Sequence, residues 1–418
     1  MSTSRRDFLR TGALGALGLG LLPLERALAA PAPSGDPVVV AVNMFGGNDA
    51  LNTVVPLRQY ARYRELRPVL GLARQRLLPL QGYAQDFALH PGLSAIADLF
   101  TQGQVAVING VGCPPDASGL FDHEASQQNF QTGDTFGTAP SAPPTGWLGR
   151  YLDGVLPDAL PAGIDFSSAA LILTGASFAP LSLYSIQGFG VYPSEDYEAR
   201  ANAYHALHGL AAAPGVPERN RALRQQVVGL GGTLQTISDA YRVAAGVTYP
   251  PSYLAGALRD CAALIAADQG VRALAVGTSG FDTHAGQNDA ASGVLPYHEA
   301  LLREVGDAIA AFHADLAGHG LAHRVVTLVF SEFGRRAYEN NDLGTDHGFG
   351  GTVFAIGNPV KGGVYGDAPD LREAALVLDG NLDVIIDFRR VYATILARHL
   401  NADPDRILGA SFAPLPFL

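Results

Sequence analysis

The stretch PVVVAVNMFGGNDALNTVVP, Pro37 to Pro56, decides the fold class. Its apolar residues from Val38 to Val42 run without a polar break. That is the pattern of a strand buried on both faces of a sheet. The run ends in Gly46-Gly47-Asn48-Asp49. Paired glycines allow a tight turn and leave an acid at the strand's carboxyl end. Similar runs recur at 104–112 (QVAVINGVG), 169–175 (AALILTG), 271–284 (VRALAVGTSGFDTH) and 324–334 (RVVTLVFSEFG), each closing in glycine and polar residues. GGTVFAIGNPVKGG, 350–363, reads as a further strand. Between the runs lie helical patterns, as from Tyr297 to Leu316, where Leu301, Leu302, Val305, Ile309, Phe312 and Leu316 fall on one face. Strands alternating with helices predict an α/β sandwich: a mostly parallel central sheet with helices on both faces. In such sheets ligands bind outside the carboxyl ends of the strands. The Ala-, Arg- and Gln-rich stretch 193–268 reads as a helical insertion capping one edge of the sheet.

The chain has 418 residues, 48% of them hydrophobic, enough for one large α/β domain. A formal net charge of -11 and a single lysine, Lys361, offer no basic patch for a nucleic acid. SRRDFLR, Ser4 to Arg10, sets twin arginines before a Gly/Ala/Leu-rich stretch, Gly12 to Leu22, and a small-residue site at ALAAP. This resembles a twin-arginine export signal over 1–29, followed by a linker, 30–36, and a mature domain, 37–418. The expected partner is then the twin-arginine export machinery and the expected place periplasmic or secreted. The apolar stretch is too short for a stable membrane span, which needs about 20 apolar residues. Cys113 and Cys261 could pair or remain buried thiols.

Without a cysteine-rich motif, any metal site must draw on histidine and carboxylate. Three strand ends supply them: Asp49 after the first; Asp282 and His284, alternate residues able to face one side of an extended segment; and Glu332 with Asp346-His347 one loop later. Such a set suits a divalent cation, whether zinc, calcium, magnesium or manganese. Two of these have a plainer reading: Asp49 as a helix N-cap or turn former and Asp346-His347 as a surface pair. PPDASGLFDHEASQQNFQTG, 114–133, adds Ser118, either a helix cap or a nucleophile, and His123, which faces either the cleft or solvent. Histidines 205, 208, 313, 319, 323 and 399 read as surface residues, and His90 as a partner for backbone in its Pro-Gly turn.

Together, the leader, GGNDALNTVVPL, FDTH, SEFGRR, GTDHGFGG and VKGGVYGD resemble the exported bacterial family catalogued as domain-of-unknown-function 1501. The resemblance places the chain in the alkaline-phosphatase-like superfamily with sulfatases and cofactor-independent phosphoglycerate mutases, and implies metals at the strand ends. By it, Asp49 matches the acid after the first strand that binds the metal nearest the nucleophile, and Asp282 and His284 match ligands of the other metal. For the remaining ligands there are two registers, Asp346-His347 together or Glu332 with the later His347, and the second is preferred because Glu332 ends a buried strand. The implied activity is metal-dependent hydrolysis of a small anionic phosphate or sulfate ester. Ser118 or His123 would lie near the reacting atom, and Arg335 or Lys361 would steady the anion. A non-catalytic periplasmic protein retaining the fold is the alternative.

Overall fold

The structure is a computed structural model. It describes residues 35–117, 119–134, 144–156, 162–167, 169–187, 237, 239–268, 270–291 and 295–418. The export signal, Ser118, His205, His208 and most of the expected insertion lie outside the described residues.

The main sheet is built from β1 (Val38–Met44), β2 (Val105–Gly112), β3 (Gly163–Asp165), β4 (Leu181–Ser182), β5 (Ala273–Thr278), β6 (Val325–Phe330), β7 (Gly351–Ile356), β8 (Gly363–Tyr365) and β9 (Ile386–Asp387). Its order is β8-β2-β7-β6-β1-β5-β3-β4, with β9 also on β2. β1 pairs in parallel with β6, Val42 opposite Val329, and with β5, Val42 opposite Val276. β7 alone runs against the rest, antiparallel to both β6 and β2. Its amino end therefore lies at the same edge as the carboxyl ends of its neighbours.

Alternate side chains of each strand feed two cores. Val38, Val40, Val42 and Met44 face one core, with α1 (Ser94–Thr101), α4 (Tyr253–Ala266) and α5 (Tyr297–Gly318). Val39 and Ala41 face the other, with α2 (His123–Thr132), α3 (Trp147–Val155) and α6 (Phe388–Arg398). Each valine so buried contributes roughly 1.5–3 kcal/mol relative to exposure, so β1 anchors both layers. Cys261 lies in the first core and Cys113 in the second, on opposite sides of the sheet; both are free thiols, so the pairing left open by the sequence is not made.

Two expectations change. AALILTG is not a strand; its residues Ala170–Leu173 form a 3₁₀ helix. β3 and β4 are parallel neighbours, and a parallel pair needs a crossover of a dozen or more residues; the apolar run is that crossover. The described part of the expected 193–268 cap includes α4, whose Leu254, Leu258 and Leu264 are fully buried. It is a helix of the main layer, started by Ser252, whose side chain accepts from Ala255 N.

Candidate functional site

The carboxyl ends of β1, β2, β5 and β6 and the amino end of β7 converge. The turn after β1 requires glycine: φ is +121° at Gly46 and +77° at Gly47, and a Cβ there would strike the backbone of Asp282 or the ring of Phe333. The turn thus lies directly on the segments leaving β5 and β6. Arg335, fully buried, ties them together. Its Nε donates to Gly47 O (2.6 Å), its Nη1 to Thr345 O (2.7 Å), and its Nη2 to Gly46 O, to Phe281 O (3.2 Å) and to Asp282 Oδ1 (2.6 Å). Arg335 was expected to steady an anionic substrate. Its donors are spent on the protein's own carbonyls, because several loop ends meeting at one edge leave carbonyls that must find partners.

Around Asp282 stand three histidines, each held at Nδ1 by an oxygen. His123 Nδ1 donates to Glu332 Oε1 at 2.9 Å. His347 Nδ1 donates to Phe121 O at 2.7 Å. His284 Nδ1 faces Asp346 Oδ1 at 3.4 Å. In a neutral imidazole the other nitrogen is then bare. The bare Nε2 atoms turn inward: His284 and His347 are 2.8 Å apart there, and they lie 3.2 and 3.3 Å from Asp282 Oδ1. His123 Nε2 is buried without a hydrogen bond, 3.5 Å from Asp282 Oδ2. Ligand atoms of His123, Asp282 and His347 all fall within 4.8 Å of one another.

Two facing lone pairs at 2.8 Å repel unless a proton or a cation lies between or beside them. Burial lowers the pKa of His347, with Arg335 and the neighbouring imidazoles adding to it and the Phe121 bond opposing; the ring is neutral near pH 7. Burial opposes ionisation of Asp282, yet the bond and charge of Arg335, with His284 and His123, outweigh it and hold the carboxyl below the usual range. A carboxylate and bare imidazole nitrogens, each imidazole oriented by an oxygen behind it, form the donor set of a divalent transition metal, zinc above all. The ligand atoms of tetrahedral zinc, bonded at about 2.0–2.1 Å, lie about 3.3–3.4 Å apart. The 3.2 and 3.3 Å from His284 and His347 to Asp282 Oδ1 match that spacing, the 2.8 Å between the two imidazole nitrogens is shorter, and the three residues that come together as a ligand group are His123, Asp282 and His347.

The local folding explains the placement. Asp122 caps α2 by accepting from Ala125 N (2.8 Å), which sets His123 on the first turn. Gln127, one turn on, donates to the same Glu332 oxygen at 3.2 Å. Phe121 has φ +69°, a conformation that non-glycine residues adopt at a cost of about 1–3 kcal/mol, and its carbonyl holds His347. Phe333 covers the cluster, its ring 4.6 Å from His347 and 4.9 Å from His123. The side chains of Asp282 (48% exposed) and His284 (44%) leave the opposite side open.

The other expected residues go elsewhere. Asp49 is fully buried beneath the cluster, where Oδ2 takes Arg67 Nη1 (2.5 Å) and Gln287 Nε2 (2.6 Å) and Oδ1 takes Asn52 N (3.3 Å). The plainer reading, a helix cap, is what it does for Ala50–Thr53. Glu332, preferred as a ligand, points away from the open side; besides His123 and Gln127 it accepts from Gly46 N (2.8 Å), and its Oε2 lies 3.1 Å from Ser331 Oγ. It sets His123 rather than facing a cation. Asp346 does the same for His284, with Asn340 Nδ2 on its Oδ1 at 3.0 Å. Lys361 follows the carboxyl end of the reversed strand β7, hence at the opposite edge of the sheet, and donates to Leu418 O (2.8 Å). It takes no part in the site. Of the other histidines, His90 accepts from Gly92 N as expected, but His313, expected at the surface, is buried against Thr327 Oγ1 (3.0 Å).

Sequence reasoning missed Arg67, Phe121, Gln127, Asn340 and Phe333. Only Gln127 left a trace, four residues after His123 on one helical face.

No curated protein matches the chain. Among solved structures, PsFucS1 sulfatase from Pseudoalteromonas sp. is similar at 12% identity and a TM-score of 0.36, over 97% of this chain and 72% of that one. The lipoteichoic acid synthase LtaP from Listeria monocytogenes is similar at 10% identity and a TM-score of 0.33, over 80% of this chain and 67% of that one. A family model described as "Protein of unknown function (DUF1501)" matches residues 219–409. Over that span, which holds the FDTH, SEFGRR, GTDHGFGG and VKGGVYGD motifs, the chain matches the family those motifs pointed to, DUF1501.

Proposed function

We propose that the protein is an exported, metal-dependent hydrolase of small phosphate or sulfate esters. One observation carries the reading: three imidazoles, their Nδ1 atoms set by Glu332, Asp346 and the Phe121 carbonyl, place Nε2 within 3.2–3.5 Å of an oxygen of Asp282 on an open face. His123, His284, His347 and Asp282 would hold the metal. A cation there supplies Lewis acidity toward an ester's oxygens. The chain's own residues fix the imidazole tautomers, keep Asp282 ionised through Arg335, and exclude water on the Phe333 side. Ser118 stays a candidate nucleophile. The twin arginines and small-residue site at the amino terminus support export.

A second reading, a non-catalytic metal-binding partner in a periplasmic assembly, draws on a specific observation. Hydroxyls beside the cluster are engaged: Thr283 donates to Gln287 Oε1 (2.8 Å), Thr345 to the same oxygen (3.0 Å) and Ser331 to Met44 O (2.6 Å). Metal analysis of protein purified from the periplasm, then a panel of phosphomonoesters, phosphodiesters and sulfate esters with and without chelator, separates the two. Chelator-sensitive turnover supports the hydrolase; bound metal without turnover supports the second reading. If Asp282→Ala and His284→Ala keep full metal content, the centre is wrong. Recovery of the protein only in the cytoplasm would refute export.

A further inference from the structure

We infer that the centre takes one divalent cation rather than a pair, because two internal guanidiniums hold carboxylates that a second cation would need; this rests on the metal-centre reading above. Metals that act as a pair lie about 3.5–4 Å apart, so a second ion needs its own donors at the same strand ends. Among the described residues three carboxylates besides Asp282 border the cluster: Asp49, Glu332 and Asp346. Asp49 has no solvent exposure and accepts from Arg67, Gln287 and Asn52. Arg67 is fixed in turn by Ala337 O (3.0 Å) and Arg336 O (2.9 Å), so the pair is bound from both ends. Glu332 is buried, accepts from three groups at Oε1 and has Ser331 Oγ packed 3.1 Å from Oε2. Asp346 is engaged at Oδ1 by Asn340 and faces His284 with the same atom. One further oxygen does not make a site for a hard divalent ion.

Charge points the same way. The Arg335 guanidinium lies 2.6 Å from Asp282 Oδ1, the oxygen that His284 and His347 also approach, and is locked by four backbone carbonyls. A second divalent ion sharing Asp282 would meet a fixed positive charge that cannot turn aside. Arg335 and Arg67 thus stand as internal cations at two of the three strand-end acids of this edge, Asp282 and Asp49.

The test counts metal. The purified protein, stripped by chelator and dialysed, is titrated with Zn²⁺ by calorimetry and checked by elemental mass spectrometry. It is also loaded with Co²⁺ for electron paramagnetic resonance. The expected result is one equivalent per chain and the signal of an isolated high-spin Co²⁺, with Asp49→Asn also taking one. Two equivalents, or a spin-coupled signal, overturn the inference while leaving the metal centre standing. Zero equivalents overturn the metal-centre reading and the inference with it. Should Asp49→Asn fail to fold, the wild-type count and spectrum decide alone.

Discussion

Replacing Glu332 by glutamine asks whether this acid is a ligand or the support of one. Glutamine is nearly isosteric. With its oxygen at the Oε1 position it still accepts from Gly46 N, His123 Nδ1 and Gln127 Nε2, now held at 2.8, 2.9 and 3.2 Å. Its amide nitrogen then meets Ser331 Oγ, whose own hydrogen already serves Met44 O. The packing survives; the charge behind His123 does not. A hydrogen bond to a charged group is worth about 1.5–3 kcal/mol and a neutral one about 0.5–1.5. The loss of about 1–1.5 kcal/mol in holding a basic, correctly turned imidazole becomes roughly a tenfold loss of zinc affinity, at the lower end of the 10–100-fold usual for groups behind a ligand. Competition with a chromophoric chelator measures it, with urea unfolding as a control for the fold. Unchanged affinity would mean that His123 does not bind the metal. Abolished binding in a folded variant would mean that Glu332 is itself a ligand.

His347→Ala and His284→Ala should each remove metal from the purified protein while leaving its urea midpoint in the metal-free form little changed, as elemental analysis beside circular dichroism would show. Arg67→Met should cost about 3–5 kcal/mol, since it strands a buried carboxylate, and denaturant titration reads this directly. Burial works against ionisation of Asp49, but the charge of Arg67, His298 and the bonds from Arg67 and Gln287 together hold its pKa below the ordinary value. Its contribution to stability is therefore complete above about pH 4, the unfolded value, and is lost as pH falls through the lower folded one; urea midpoints from pH 7 to 3 should show the fall, and Arg67→Met should flatten it. Cys113, its thiol pushed up to about 12 by burial, and Cys261 should react with a thiol reagent only after denaturation, and as two free thiols.

The sequence by itself determined the architecture. Unbroken apolar runs at β1, β2, β5, β6 and β7 can be satisfied only by burial on both faces, and that local pattern needs no knowledge of partners. It also marked the edge where the site lies, since glycine and polar residues end those runs, and it named His123, Asp282, His284 and His347. It misread AALILTG because apolar content cannot tell a strand from a crossover; only the parallel pairing of β3 with β4 does. What each acid does was decided by tertiary structure alone. Asp49 and Glu332 stand at strand ends just as Asp282 does, and composition gives them the same standing. Their fates diverge because Arg67, the C-cap of the helix Tyr60–Leu66 and eighteen residues after Asp49, reaches one carboxylate, and His123, from α2, reaches the other. The Phe121 carbonyl meets His347 across 226 residues of sequence, and the reversed β7, which brings His347 in and carries Lys361 away, pairs with β2 as well as with β6, Phe354 opposite Val107. A carboxylate's role is set by which cation or donor arrives first at its oxygens, and long-range packing decides the arrival.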